Sequence, residues 1–274
     1  MIGGLQWRAL RTVAGKELRD RLRNRWILAV AVVLAAFALL IAYAGGAQSG
    51  TVGFRSIGVT VASLTSLAIY LVPLIALLLG FDAIVGERER GTLDLMLSMP
   101  LTRAESEVLA EQEFGAALVL ATLIGFGAAL VPLAAQLDAA GIRLYALFVA
   151  SVIALGLSFL SLAMLVSVLV RDRARATGAA ILLWFGFVLV FDLALLGALV
   201  ATAGRHSSAW APWALLLNPA DVFRVFNAMS TETLRNAFGL GTLLPDAWGD
   251  PRVLGSVMVA WILAPLGVAL WRFR

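Results

Sequence analysis

Residues 81–103 read FDAIVGERERGTLDLMLSMPLTR, and nowhere else does the chain mix so many charges with so many regularly placed apolar residues. On both sides lie long oily runs, so the stretch interrupts two candidate membrane spans. Gly86 and Gly91 bracket the Glu87-Arg88-Glu89-Arg90 cluster and offer bends on either side of a charged turn. Thr92 is placed to cap a short helix with Asp94 in its first turn, favourable at the positive end of the helix dipole. Leu93, Met96 and Leu97 then line one face, and Pro100 stops the helix. Thr102 and Glu105 form a capping box that opens the next helix.

Working outward, the apolar residues fall in runs long enough to cross a bilayer, which needs roughly 20 residues for about 30 Å of hydrocarbon. Hydrophobic residues make up 61% of the chain and charged ones only 14%, which excludes an ordinary soluble domain. Candidate spans lie at 26–44, 58–81, 114–136, 144–170, 178–203 and 253–271, none containing Lys or Arg. The expected fold class is therefore all-α: a polytopic membrane protein of six transmembrane helices, forming a single domain over 1–274. Ala42-Tyr43-Ala44 looks like a signal-peptide cleavage site, but the apolar run is long and its 25-residue leader holds Glu17 and Asp20, so an uncleaved span is expected.

Before the first span, residues 1–25 carry seven basic side chains, with Trp7, Leu10, Ala14, Leu18 and Leu22 at spacings of three and four. That pattern fits an interfacial helix whose basic side chains snorkel to membrane lipid. Basic residues are concentrated at the two termini and in the second and fourth connections, 15 of the 21, which places both termini in the cytoplasm. The high pI is thus a topology signal, and no nucleic-acid partner is expected.

Residues 82–113 consequently face the cytoplasm. A helix running from Arg103 to Gln136 would be about 50 Å long at 1.5 Å per residue and would project from the bilayer. The short apolar helix before it needs a cover. It either folds back on its own helix ends and the membrane, or docks into a groove on a cytosolic protein. Here the stretch resembles the coupling segment of type-2 ABC exporter permeases, in which a Gly-Glu-x-x-x-Gly-Thr-x-apolar sequence follows the second span. The matching residues are Gly86, Glu87, Gly91, Thr92 and Leu93, with Pro100 closing the segment. The resemblance extends to the basic N-terminal elbow helix, the six spans and a long last external loop beginning Leu217-Asn218-Pro219. Where such permeases usually place a Gly-Lys pair before the third span, this chain has Ala110-Glu111-Gln112-Glu113.

The resemblance implies a multi-pass protein of the bacterial inner membrane, working with a second copy of itself and two cytosolic ABC ATPase subunits. Residues 86–100, including Arg88, Glu89, Arg90, Met96 and Leu97, would contact those subunits. ATP and Mg would be bound by them and not by this chain, which has no phosphate-binding G-x-x-x-x-G-K-[ST] loop and is expected to be no enzyme itself. Alternative expectations are a type-2 permease for a drug, lipid or polymer, and a scaffold that anchors an ATPase without forming a pathway.

Three further groups stand out. Arg171, Asp172, Arg173 and Arg175, after the fourth span, are either a second cytoplasmic contact or a positive-inside anchor. Asp192 is the acidic residue deep in the fifth span, where a charge costs about 2.5–3.5 kcal/mol and must face protein or water. It either lines a pathway or is a protonated carboxyl bonded to a neighbouring helix. In the loop 204–252, Asn218, Pro219 and Asp221 make a helix start, with Val222, Phe223 and Phe226 on its apolar side. Nearby tryptophans suit the interface or a shallow re-entrant hairpin. Cysteine is absent and His206 is the one histidine, so neither disulfides nor a transition-metal site within the chain is expected.

Overall fold

The computed structural model describes residues 25–44, 57–89, 103–134, 137–201, 207–229 and 250–273, of which 25–27, 42, 44, 87, 103–113, 132, 207–209 and 273 are described by backbone alone. The interfacial helix read before Arg25, the short helix at 92–100 and His206 lie outside these residues.

Among the described residues the chain is helical and contains no strand. The helices are α1 (Arg25–Ala44), α2 (Ile57–Gly80), α3 (Val85–Glu89), α4 (Arg103–Ala134), α5 (Ala139–Leu169), α6 (Arg173–Phe185), α7 (Phe191–Ala201), α8 (Ser207–Leu215), α9 (Pro219–Ala228) and α10 (Pro251–Phe273). A π-helical turn, Gly186–Val190, joins α6 to α7, so the fifth span is one helix from Arg173 to Ala201. It begins earlier than its apolar run because Asp172 caps it, accepting the Arg175 N–H at 2.8 Å.

Among the described residues five helices are long and apolar enough to cross a membrane: Ile57–Gly80, Phe114–Val131 within α4, Ala139–Leu169, Arg173–Ala201 and Pro251–Arg272. This is a membrane protein. The helix read as the first span, α1, has 20 residues and a shorter apolar stretch, Leu28–Ile41. As expected, α4 runs unbroken from Arg103 into the third span, its 32 residues giving about 48 Å.

The core is built around α5, which packs on α2, α4, α9 and α10. In its apolar window 67% is buried inside the fold, against 11% for the fifth span, which is therefore peripheral. Phe148 of α5 stacks edge-on against Phe126 of α4, with ring centroids 5.3 Å apart, and meets Phe223 of α9 at 6.4 Å. The Tyr145 hydroxyl donates to the Phe126 carbonyl at 2.7 Å, so this buried hydroxyl is satisfied. Two glycines allow the close approaches. A Cβ on Gly125 of α4 would lie 2.6 Å from Leu34 Cβ in α1, and one on Gly156 of α5 would lie 2.7 Å from Leu118 in α4. Gly127 has open space beside it and makes no such contact.

Candidate functional site

At one end of the bundle the charged turn is fastened to the start of the fifth span. The bend expected at Gly86 falls earlier, at 81–84, and Gly86 itself lies buried in the helical turn of α3. The displacement has a local cause: Ser167 Oγ, near the end of α5, accepts the Ile84 and Val85 N–H groups at 2.9 and 3.0 Å. Those donors begin α3 and have no helical partner of their own. Arg88 Nη1 donates to the Val170 carbonyl at 3.0 Å, closing the C-terminal end of α5. Glu89 Oε1 accepts the Arg173 backbone N–H at 2.7 Å, which puts a carboxylate at the positive end of α6. The Arg173 guanidinium returns to Asp82 at 2.9 Å.

The two groups that the sequence presents separately, 86–90 and 171–175, are thus one cluster. Asp172 and Arg175 pair with each other at 3.0 Å within it, while Arg171 is exposed. The Glu87 side chain and residues Arg90, Gly91, Thr92, Leu93, Met96, Leu97 and Pro100 lie outside the described side chains. Asp82 and Ser167 are the members that sequence reading missed. Their only signal was position, since each sits one turn from the end of an apolar run.

The second cluster is about 24 Å further along α5, taking 16 residues from Ser167 to Ser151 at 1.5 Å each. The helix start read at Asn218 is there: its side chain accepts the Ala220 N–H and Pro219 occupies the first turn. The helix α9 packs inside the bundle. It is inserted among α2, α5 and α10, with Asn218, Asp221, Phe223 and Asn227 at most 1% exposed, and Phe226 half-buried. Burial at that depth follows from its polar residues being bonded inside: Asn227 Nδ2 donates to Ser151 Oγ at 2.9 Å, and Trp261 Nε1 of α10 donates to the Leu216 carbonyl just before α9 at 2.9 Å.

Asp192 joins this cluster. Arg224 Nη2 meets its carboxylate at 2.7 Å, and Arg224 Nη1 meets Asp221 at 2.6 Å. Asp192 is therefore bonded to a neighbouring helix, as one expectation had it, and its partner is a guanidinium that it shares with Asp221. Arg224 lies in the loop 204–252 by sequence, and nothing near it in the chain marks Asp192, 32 residues away, as its partner. Asn218 Nδ2 donates both to Asp221, at 2.9 Å, and to the Phe187 carbonyl in the π turn, at 2.8 Å. A π turn disturbs the regular carbonyl-to-amide ladder, and here one of its carbonyls takes a side-chain donor. Among the described residues no cluster of acidic or histidine side chains could hold a metal ion.

Comparison with known proteins bears on the whole chain. The sequence model described as "ABC-2 family transporter protein" matches residues 11–274. Two relatives, each described as "Probable ABC transporter permease protein NosY", are 44% identical to it. The one from Stutzerimonas stutzeri aligns over 268 residues, 96% of either chain. That from Pseudomonas aeruginosa aligns over 267, covering 96% of this chain and 97% of its own. With a bundle of apolar helices, one charged turn locked to the fifth span and a helix buried beside the last, the chain belongs to the ABC-2 family of transporter proteins.

Proposed function

We propose that the chain is the permease subunit of an ABC transporter, embedded in the bacterial inner membrane with six spans and both termini in the cytoplasm. The observation that carries this is the 44% identity over 96% of the chain to proteins described as permeases. Two copies would form the membrane unit, and two cytosolic ATPase subunits, carrying ATP and Mg, would grip residues 86–100. The lock between α3 and α6 supports that role, because a coupling segment must be anchored to the helices it moves. Arg171 and the exposed face of Arg175 would be a second contact on the same side, and Asp192 would lie beside the pathway.

The relatives' name points to a substrate in the service of nitrous oxide reductase maturation. We infer transport of a sulfur species, or handling of copper, for that enzyme's copper–sulfide centre, with a periplasmic protein meeting the external loop 204–252. With no cysteine and one histidine, the chain is poorly equipped to hold copper itself, so a partner would carry it.

The test is a membrane pull-down of tagged protein, comparing wild type with Glu87→Arg combined with Leu93→Asp and assaying ATPase activity in the eluate. The expected outcome is a stoichiometric ATPase that co-purifies with wild type and is lost from the variant. Full retention by the variant would remove residues 86–100 from the interface. Co-purification without substrate movement in vesicles would favour a scaffold, and movement of a drug, lipid or polymer would replace the sulfur or copper assignment.

A further inference from the structure

We propose that the fifth span is a lever that joins α3 to α9, so that a displacement of the charged turn at one end of the bundle is delivered to the buried helix at the other. What such movement means for transport rests on the permease function proposed above; the mechanical linkage does not.

The geometry has three parts. At the near end the lever's first residue is held twice, by Glu89 on the Arg173 N–H and by Asp82 on the Arg173 guanidinium. At the far end Asp192 is held by Arg224, and the π turn by Asn218, both from α9. Between them, Trp184 Nε1 donates to the Tyr70 carbonyl of α2 at 3.0 Å, one turn before Pro73. A helical carbonyl oxygen has a second lone pair, and that of Tyr70 takes the indole donor from outside its own helix. Trp184 is 11 residues from Arg173 and 8 from Asp192, about 16 and 12 Å at 1.5 Å per residue, so this bond is placed to act as a pivot.

Between these fastenings the helix meets the core along one side, where Leu183, Trp184, Phe187 and Leu189 pack and Phe187 stands edge-on to Phe159 and Trp261 at 5.9 and 5.8 Å. Its buried residues are Ala176, Ala180 and Val188, and α7 has none. Ile181, Leu182, Phe185, Leu193, Leu196 and Val200 are all exposed on this chain. Helical hydrogen bonding is continuous through the π turn, Phe191 N–H reaching the Gly186 carbonyl, so the span transmits force as one body. Asn218 and Arg224 are then positioning residues that tie α9 to the position of the lever.

The chain contains no cysteine, so introduced thiols are the sole labelling sites. Full-length chain in lipid nanodiscs, without ATPase or nucleotide, would be spin-labelled at Leu196→Cys and Val259→Cys and diluted with unlabelled chain. A second pair, Leu78→Cys and Ala174→Cys, would report the near end. All four positions are exposed in the fold. Breaking the near lock with Asp82→Asn and Arg173→Gln is expected to shift both distance distributions. The exchange Asp82→Arg with Arg173→Asp should return both towards wild type. If the near pair shifts while the far pair stays, or if neither moves, the lever is overturned. Should the double variant fail to fold, Glu89→Gln perturbs the same junction more gently and is held to the same two outcomes. Because no ATPase is present, a negative result here leaves the co-purification test of the permease function untouched.

Discussion

The two polar clusters of the bundle solve the same problem by different means. Both fasten a helix end to the fifth span. The α3 cluster does so near the surface, with Arg173 59% exposed, and relies on backbone donors and acceptors as much as on charge. The α9 cluster does so with charges largely inside the protein, where Asp221 is fully buried and Arg224 is 26% exposed. Exposed ion pairs contribute about 0–1 kcal/mol, whereas removing one partner of a buried pair costs about 3–5 kcal/mol. The difference teaches that the near end is built to be adjusted and the far end to hold.

Substitutions would break that contrast in graded steps. The largest effect is expected from Arg224→Leu, which strands two carboxylates and should cost about 3–5 kcal/mol. Thermal unfolding of the detergent-solubilised protein would show it, and adding Asp192→Asn with Asp221→Asn should recover part of the loss. A normal melting temperature for Arg224→Leu alone would mean that the far cluster is no anchor. Next comes Ser167→Ala, which leaves the Ile84 and Val85 N–H groups buried without an acceptor, at about 1–3 kcal/mol. Its signature is faster amide exchange confined to α3 and the end of α5.

Asn218→Ala removes a helix cap, worth about 0.5–2 kcal/mol, together with the bond to the Phe187 carbonyl. Its effect should be read in exchange at the π turn as well as in α9; a change in α9 alone would separate the cap from the clamp. Smallest is Arg173→Gln, at no more than about 1 kcal/mol. Raising ionic strength should erase even that difference while leaving the Arg224→Leu loss intact, since buried pairs are screened little.

Much of this molecule was legible in the sequence, and the exceptions share a physical origin. Apolar runs mark the long helices because hydrocarbon demands them, and Asn218 with Pro219 marks α9 because capping chemistry is local. The unbroken α4 followed from its capping box and the absence of a breaker before its apolar run. What one stretch of sequence does not display is which polar residues meet across 80 positions or more, as Glu89 meets Arg173 and Ser167 meets Ile84. Arg224 was hidden for the same reason: its partner Asp192 lies 32 residues away on another helix. The burial of α9 was also illegible, since a short helix carrying Asp221 and Arg224 looks fit for water until those charges are seen to neutralise one another.

That burial sets an order of assembly. The wall against which α9 rests includes α10, which leaves the ribosome after it, and Trp261 of α10 holds the turn that precedes α9. While α10 is still inside the ribosome, α9 lacks one side of its berth, and its charged residues are better solvated outside the bilayer. We therefore predict that α9 enters the bundle only as α10 arrives, after the earlier helices have met. Nascent chains arrested before Pro251 should leave a thiol placed at Phe223 open to a membrane-impermeant reagent, and full-length chains should protect it. Equal protection in both would show that α9 finds its place without α10.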